Sequence, residues 1–158
     1  MIWETSWKAD PRAREVADRH YNRQKPGTPQ FVPPGRALVL YAETETGRAF
    51  WITSYPYAQY VRHAWAGAWV CSAFRNEGAG VASEMIREAV AATRAHFGEP
   101  PALGMITLIH GVKTWGYTYK LAGFREVGET KGGLLALQLL PEDMPEPEAA
   151  KEARNDTP

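Results

Sequence analysis

The sequence predicts a single α/β domain built on a mixed, mostly antiparallel sheet. At 158 residues, with 44% apolar and 23% charged residues, the chain is long enough to enclose one hydrophobic core. Apolar periodicity and turn residues divide it into a helix, a hairpin, a strand–loop–helix–strand unit, a short helix and a last hairpin. Hairpins pair antiparallel strands and a strand–helix–strand unit pairs parallel ones, so the sheet should contain both.

The first helix is predicted to begin at Pro11 and to end near Tyr21. Asp10 supplies an N-cap, and proline is favoured at the first helical position. A basic, proline-containing loop follows over residues 22–36, and a long loop in a compact domain is often functional. The first hairpin should then consist of strand 37–42, turn 43–47 and strand 48–53.

The second half of the chain alternates strands and helices. Apolar residues at helical spacing, from Ala82 to Ala92, predict an amphipathic helix over 81–97. We expect the remaining elements to be strands 68–74 and 103–109, helix 112–122, and strands 125–130 and 134–140. Residues 141–158 are rich in proline and acidic residues, so we predict a disordered tail after a domain formed by residues 1–140.

Charge is unevenly distributed, although the formal net charge is zero. The acidic tail carries −4 and residues 1–140 carry +4, which is compatible with a nucleic-acid partner. The single cysteine, Cys71, excludes an intramolecular disulfide. We find no apolar run of membrane length and no signal-peptide pattern, so we expect a cytoplasmic protein without membrane contact. The oligomeric state is not indicated.

A glycine-bearing loop between a strand and a helix is the first candidate site. Residues 75–80 lead directly into the helix predicted over 81–97. The first turn of a helix has unpaired N–H groups and a partial positive charge, and glycine lets the backbone approach a ligand closely. We therefore predict a cofactor-binding loop that holds phosphates, with these binding residues: Arg75, Asn76, Gly78, Ala79 and Gly80.

Two motifs together resemble the GNAT acyltransferase superfamily. Arg75-x-x-Gly78-x-Gly80 has the form of its pyrophosphate loop, and the run from Tyr119 to Gly123-Phe124 looks like its Tyr-x-x-x-Gly-Phe helix end. The resemblance implies a GNAT-like fold that binds acetyl-CoA or another acyl-CoA. The N–H groups of residues 76–80 would hold the pyrophosphate, and the pantetheine would lie between strands 68–74 and 103–109. Tyr119 would protonate the departing thiolate.

A narrower resemblance begins at Arg19-His20-Tyr21-Asn22 and covers roughly residues 15–130. With the later clusters 72–76, 83–86 and 117–124, it is similar to the Mom family of bacteriophage DNA-modification proteins. Mom proteins have a GNAT-like fold and convert the N6 amine of adenine in DNA to a carbamoylmethyl-amine. The resemblance therefore implies DNA as the substrate and acyl-CoA-dependent modification of adenine N6.

Four residues are candidates for catalysis. The adenine N6 amine is a poor nucleophile, because its lone pair is delocalised, so it needs a base and a stabilised leaving group. His20 is the candidate base, unless it caps the first helix, and Tyr21 could relay a proton or stack on a base. Tyr119 is the candidate acid, with core packing as its alternative. His110 lies at the end of a central strand, where α/β sheets face ligands.

Basic and aromatic side chains are the candidates for substrate binding. Arg19, Arg23 and Lys25 could face phosphates, although a solvated charged surface explains them equally well. Tyr55 and Tyr57 belong to a stretch of aromatic residues that could clamp a flipped base or pack in the core. The four histidines lack metal-ligand spacing, so we predict no metal site.

Two other functions stay open at this point. The first is an ordinary GNAT N-acetyltransferase that acts on a small-molecule or protein amine. The second is a GNAT-fold binding protein without turnover. The second is favoured if the carboxylate of Glu77, which lies within the predicted loop, repels a pyrophosphate.

Overall fold

A computed structural model describes residues 1–7, 9–19, 36–56, 61, 63–110 and 116–153. The strands are β1 (Glu4–Thr5), β2 (Arg36–Thr44), β3 (Gly47–Tyr55), β4 (Trp69–Glu77), β5 (Met105–His110), β6 (Arg125–Glu129) and β7 (Leu134–Leu139). The helices are α1 (Pro11–Asp18), α2 (Ala82–Phe97) and α3 (Gly116–Leu121). None of these helices is both long and apolar enough to cross a membrane.

All seven strands form one sheet in the order β1-β2-β3-β4-β5-β7-β6. Neighbouring strands are antiparallel except β4 and β5, which are parallel and are connected through α2. The predicted class, an α/β domain on a mixed, mostly antiparallel sheet, is therefore confirmed. Strand β1 was not predicted, because two residues are too short to show a periodicity.

The helices cover opposite faces of the sheet. Helix α1 buries Ala13, Val16 and Ala17 against one set of strand residues, which includes Tyr41 and Phe50. Helices α2 and α3 pack on the other face, where the core contains Trp51, Trp69, Met85, Ile86 and Tyr119. Because successive strand residues point to opposite faces, each strand contributes to both cores.

Strand β4 is longer than predicted, and this changes the candidate loop. Arg75 pairs with Phe50 and Asn76 pairs with Ala49, so these two residues belong to the strand rather than to a loop. The turn between β4 and α2 is therefore confined to residues 78–81. The glycines predicted a loop that starts at residue 75. Hydrogen bonding to β3 instead extends the strand up to Gly78, because pairing with a distant segment overrides the local pattern.

The C-terminal segment differs from the predicted tail. Residues 141–153 lie against the domain: Met144 is buried, Arg94 Nη1 donates to Pro145 O at 2.7 Å, and Lys151 N donates to Trp3 O at 3.0 Å. The acidic composition predicted disorder because it offers little apolar surface, whereas the segment is held mainly through its backbone carbonyl and N–H groups. Residues 154–158 lie outside the described residues.

Candidate functional site

The parallel strands β4 and β5 pair along only part of their length. Their ladder contains three pairs, Trp69–Met105, Val70–Ile106 and Cys71–Thr107, although β4 continues to Glu77 and β5 to His110. At the end of this ladder the register between β4 and β3 shifts, so that Ser72 is the extra residue of a β-bulge. A bulge bends the strand that carries it. We call the unpaired region between residues 72–77 and 108–110 the β4–β5 gap.

The side chain of Tyr119 lies at the closed end of the β4–β5 gap. Its hydroxyl is 3.6 Å from Cys71 Sγ, and Cys71 belongs to the last pair of the β4–β5 ladder. The tyrosine ring packs edge-on against Phe74 and Phe124, with ring centroids 6.5 and 5.4 Å away, and the residue is 7% exposed. Helix α3 thus holds a phenol where the two strands separate.

Cys71 is the second reactive side chain at this point. It is buried, and burial raises the pKa of its thiol to about 12. The thiol therefore stays protonated at neutral pH, and a protonated thiol is a weak nucleophile. A covalent intermediate on Cys71 is disfavoured for that reason.

The turn between β4 and α2 lies at the open end of the β4–β5 gap. Gly78 adopts a φ of 84°, which only glycine reaches without strain. The Asn76 side chain spans the turn: Ala79 N donates to its Oδ1 at 2.9 Å, and its Nδ2 donates to Gly80 O at 2.8 Å. The N–H of Ala79 is thus already bonded within the turn, which narrows the prediction that residues 76–80 all offer N–H groups to a ligand.

Helix α2 begins without a side-chain cap. Its N-cap residue is Val81, which has no acceptor group and makes no side-chain hydrogen bond. The first N–H groups of an α-helix have no partner within the helix, and they carry the positive end of the helix dipole. An anion is a suitable partner for them.

The β2–β3 hairpin braces this turn through residues that the sequence did not indicate. Thr46 Oγ1 donates to Gly78 O at 2.6 Å, and Thr44 Oγ1 donates to Ala79 O at 3.0 Å. Gly47 lies so close to β4 that a Cβ atom on it would be 1.8 Å from Glu77 O. The only local signal was the hairpin turn itself, which does not reveal what the turn touches.

Glu77 is paired with two arginines. Arg19 Nε and Nη2 donate to the two carboxylate oxygens at 2.6 and 2.5 Å, and Arg75 Nε donates to Oε2 at 2.8 Å. The hydrogen bond from Arg19, and next that from Arg75, lowers the pKa of Glu77 to about 2. Arg19 caps α1, and α1 covers the face of the sheet opposite to α2. The carboxylate therefore points away from the start of α2.

The other predicted site residues are spread more widely. His110 is exposed at the end of β5, at the same end of the parallel pair as Glu77. Tyr55 is half-buried, with its ring 6.3 Å from Phe97, at the end of β3 farthest from Gly47. Nine strand residues extend roughly 27 Å, from Gly47 to Tyr55. Tyr55 is therefore far from the turn between β4 and α2. These predicted residues lie outside the described residues: His20, Tyr21, Arg23, Lys25 and Tyr57.

Together, the described residues form an elongated site with a phenol at one end and a glycine turn with an uncapped helix at the other. Arg19, predicted for substrate binding, and Arg75, predicted for cofactor binding, meet at Glu77 beside this turn. No family model matches the chain, and no curated protein or solved structure matches it either.

Proposed function

We propose that this chain is an acyl-CoA-dependent transferase with a GNAT-like fold. One arrangement carries the proposal: the β4–β5 gap has the Tyr119 hydroxyl at its closed end and the Gly78 turn at its open end. An acyl-CoA is a long molecule with a thioester at one end of its pantetheine and a pyrophosphate at the other. In the β4–β5 gap, a proton donor would face the thioester and the glycine turn would face the pyrophosphate.

The turn residues suit a pyrophosphate. Gly78 and Gly80 carry no side chains, and Val81 leaves the first N–H groups of α2 without a side-chain cap. The Ile2 side chain packs beside Gly80, where a Cβ atom would be 3.2 Å from Ile2 Cδ1. A carboxylate that faced the turn would repel the pyrophosphate, and Glu77 directly precedes Gly78. Its two arginine partners and its position on the α1 face remove most of that repulsion.

An acyl-CoA would supply a thioester carbonyl that an amine can attack. Tyr119 would donate its hydroxyl proton to the departing thiolate, because its hydroxyl lies at the closed end of the gap. A base must accept the proton that the amine loses, and His20 is the proposed residue. Direct transfer to the amine is favoured over transfer through an enzyme thioester, because the Cys71 thiol is protonated and buried.

We propose adenine N6 in DNA as the acceptor, as in the Mom family. The support is the His20-Tyr21 pair, which directly follows Arg19 in the sequence. Arg19 itself is paired with Glu77, the last residue of β4 before the glycine turn. The assignment of His20 as the base is carried by this sequence resemblance.

The decisive experiment is mass spectrometry of nucleosides from the DNA of cells that express the protein. We expect a modified adenosine with wild-type protein and a loss of this product with His20→Ala. Direct transfer from acetyl-CoA would add an acetyl group, whereas a carbamoylmethyl group contains an extra nitrogen and would require a further reaction with a nitrogen donor, so the elemental composition of the added group separates the two products. Only unmodified adenine, with soluble protein present, would contradict the DNA-modification proposal.

Calorimetry with acetyl-CoA separates the alternatives. Binding together with unmodified DNA would favour an N-acetyltransferase that acts on another amine. Absence of both binding heat and thermal stabilisation would favour a binding protein without turnover. The same titration with His20→Ala should give an unchanged dissociation constant, because a base that accepts the proton of the amine is not required for binding the donor.

A further inference from the structure

We propose that Thr44 and Thr46 of the β2–β3 hairpin are positioning residues for the pyrophosphate of the donor. This inference rests on the function proposed above. Neither threonine belongs to the glycine turn, because both lie in the hairpin that connects β2 and β3. They act on the orientation of the peptide groups that follow Gly78 and Ala79.

Two consecutive carbonyls of the turn are directed at the hairpin. Thr46 Oγ1 donates its proton to Gly78 O at 2.6 Å, and Thr44 Oγ1 donates to Ala79 O at 3.0 Å. Thr44 Oγ1 also lies 3.5 Å from Gly47 O, but its single proton favours the shorter hydrogen bond, which is the one to Ala79 O. Thr44 Oγ1 also accepts a hydrogen bond from Thr46 N at 3.3 Å and lies 3.2 Å from Thr46 Oγ1, so the two hydroxyls are neighbours in the hairpin turn.

Fixing these carbonyls also fixes the N–H groups of the same peptides. A trans peptide is planar, so its N–H points opposite to its C=O, and the described chain contains no cis peptide bond. The N–H groups of Ala79 and Gly80 must therefore point away from the hairpin. Ala79 N confirms this geometry, since it donates to Asn76 Oδ1. By the same geometry, Gly80 N points away from the hairpin.

The hairpin can brace the turn because the two backbones are almost in contact. Arg48 and Gly78 form an isolated parallel bridge, and a Cβ atom on Gly47 would overlap Glu77 O. No other residue type fits at Gly47 without moving one of the two segments. The glycine permits the approach, and the two threonines then use it to orient the turn.

The Ala79 N–H is already bonded to Asn76, so the Gly80 N–H is the group of this pair that a pyrophosphate would accept from. A preorganised N–H group binds an anion more tightly than one that must first reorient. Removing both hydroxyls should therefore weaken the binding of a donor that carries the pyrophosphate. A donor without the pyrophosphate should bind as before. This contrast separates a positioning role from a general effect on folding.

The test uses the full chain with Thr44→Val and Thr46→Val combined, since valine keeps the shape and loses the hydroxyl. Calorimetry measures the dissociation constants of acetyl-CoA and of S-acetylpantetheine, which lacks the pyrophosphate. We expect about tenfold weaker acetyl-CoA binding and less than a twofold change for S-acetylpantetheine. Thr44→Ser with Thr46→Ser keeps both hydroxyls and should restore wild-type affinity.

Thr130→Val is the matched control, because Thr130 also bonds a backbone group in a hairpin turn, at Leu134 N, but between β6 and β7. It should leave both dissociation constants unchanged. Unaltered acetyl-CoA binding by the double valine variant, or an equal loss for both donors, would overturn the positioning role alone. If the wild-type protein binds no acetyl-CoA, the proposed function fails, and the positioning role fails with it.

Discussion

Arg19 and Glu77 form a two-pronged ion pair between residues that are 58 positions apart in the sequence. The pair joins the C-terminal cap of α1 to the last residue of β4. It therefore anchors the point from which the chain continues to His20 and Tyr21. It also neutralises the one carboxylate that precedes the glycine turn.

Replacing Glu77 by glutamine should remove a pH-dependent part of the stability. The pKa of Glu77 is about 2 in the folded chain, against an ordinary value of 4.5. A lowered folded-state pKa stabilises the fold above the unfolded pKa, and this contribution is lost as pH falls from about 4.5 to about 2. We expect Glu77→Gln to cost about 1–2 kcal/mol near neutral pH, because Arg19 and Arg75 are partly exposed and solvent screens the pair.

Urea unfolding at several pH values measures this effect. The difference in unfolding free energy between wild type and Glu77→Gln should shrink as the pH falls below 4.5. Glu99→Gln, at an exposed position after α2, is the control and should change stability little. A difference that is independent of pH would show that the carboxylate charge does not stabilise the fold.

Replacing Tyr119 by phenylalanine should lower kcat and leave the acetyl-CoA dissociation constant unchanged. The phenyl ring preserves the packing on Phe74 and Phe124, and only the proton donor is lost. Loss of a general acid lowers the rate by about 10²-fold or more. Steady-state kinetics and calorimetry on the same preparation separate the two quantities.

Tyr117→Phe is the matched control for this variant, because Tyr117 lies on α3 with its side chain 65% exposed. Its kcat should equal that of the wild type. Equal activity of the Tyr119→Phe enzyme would remove the proposed acid role and leave Tyr119 as a core residue.

Replacing Gly47 by alanine should destabilise the protein by about 2 kcal/mol or more. The added Cβ would lie 1.8 Å from Glu77 O, so β3 and β4 would have to move apart. Thermal unfolding with and without acetyl-CoA measures the loss of stability and the loss of ligand stabilisation together.

Gly132→Ala, in the turn before β7, is the control for steric effects, since its nearest neighbour would be Thr130 Oγ1 at 3.9 Å. It should be close to neutral. Similar unfolding temperatures for the two alanine variants would contradict the close approach of the hairpin to β4.

Ending the chain after Leu140 should lower the stability by about 2 kcal/mol. The deletion exposes the surface covered by Met144, and it removes the carbonyl that accepts from Arg94 Nη1. Chemical unfolding of the shortened chain measures the change. Deleting only residues 154–158 removes neither contact and is the control. An unchanged midpoint for the longer deletion would instead support a disordered tail from residue 141.

The chemistry of the site was only partly accessible from the sequence. The glycine motif located the turn and the Tyr119 motif located the phenol, since both depend on short local patterns. That Glu77 pairs with two arginines, and points away from α2, was not accessible in this way. The hydrogen bonds of the Thr44 and Thr46 hydroxyls were not predictable from the sequence either, because their partners lie more than 30 residues away.

By itself, the sequence determined the α/β class, the order of the elements after β1, both hairpins and the amphipathic helix α2. These features depend on apolar periodicity and turn residues, which act over a few neighbouring positions. Only the tertiary structure decided where β4 ends, where β4 and β5 separate, and that residues 141–153 pack against the domain. Those outcomes are set by hydrogen bonds and packing between distant segments, whose energies no local pattern contains.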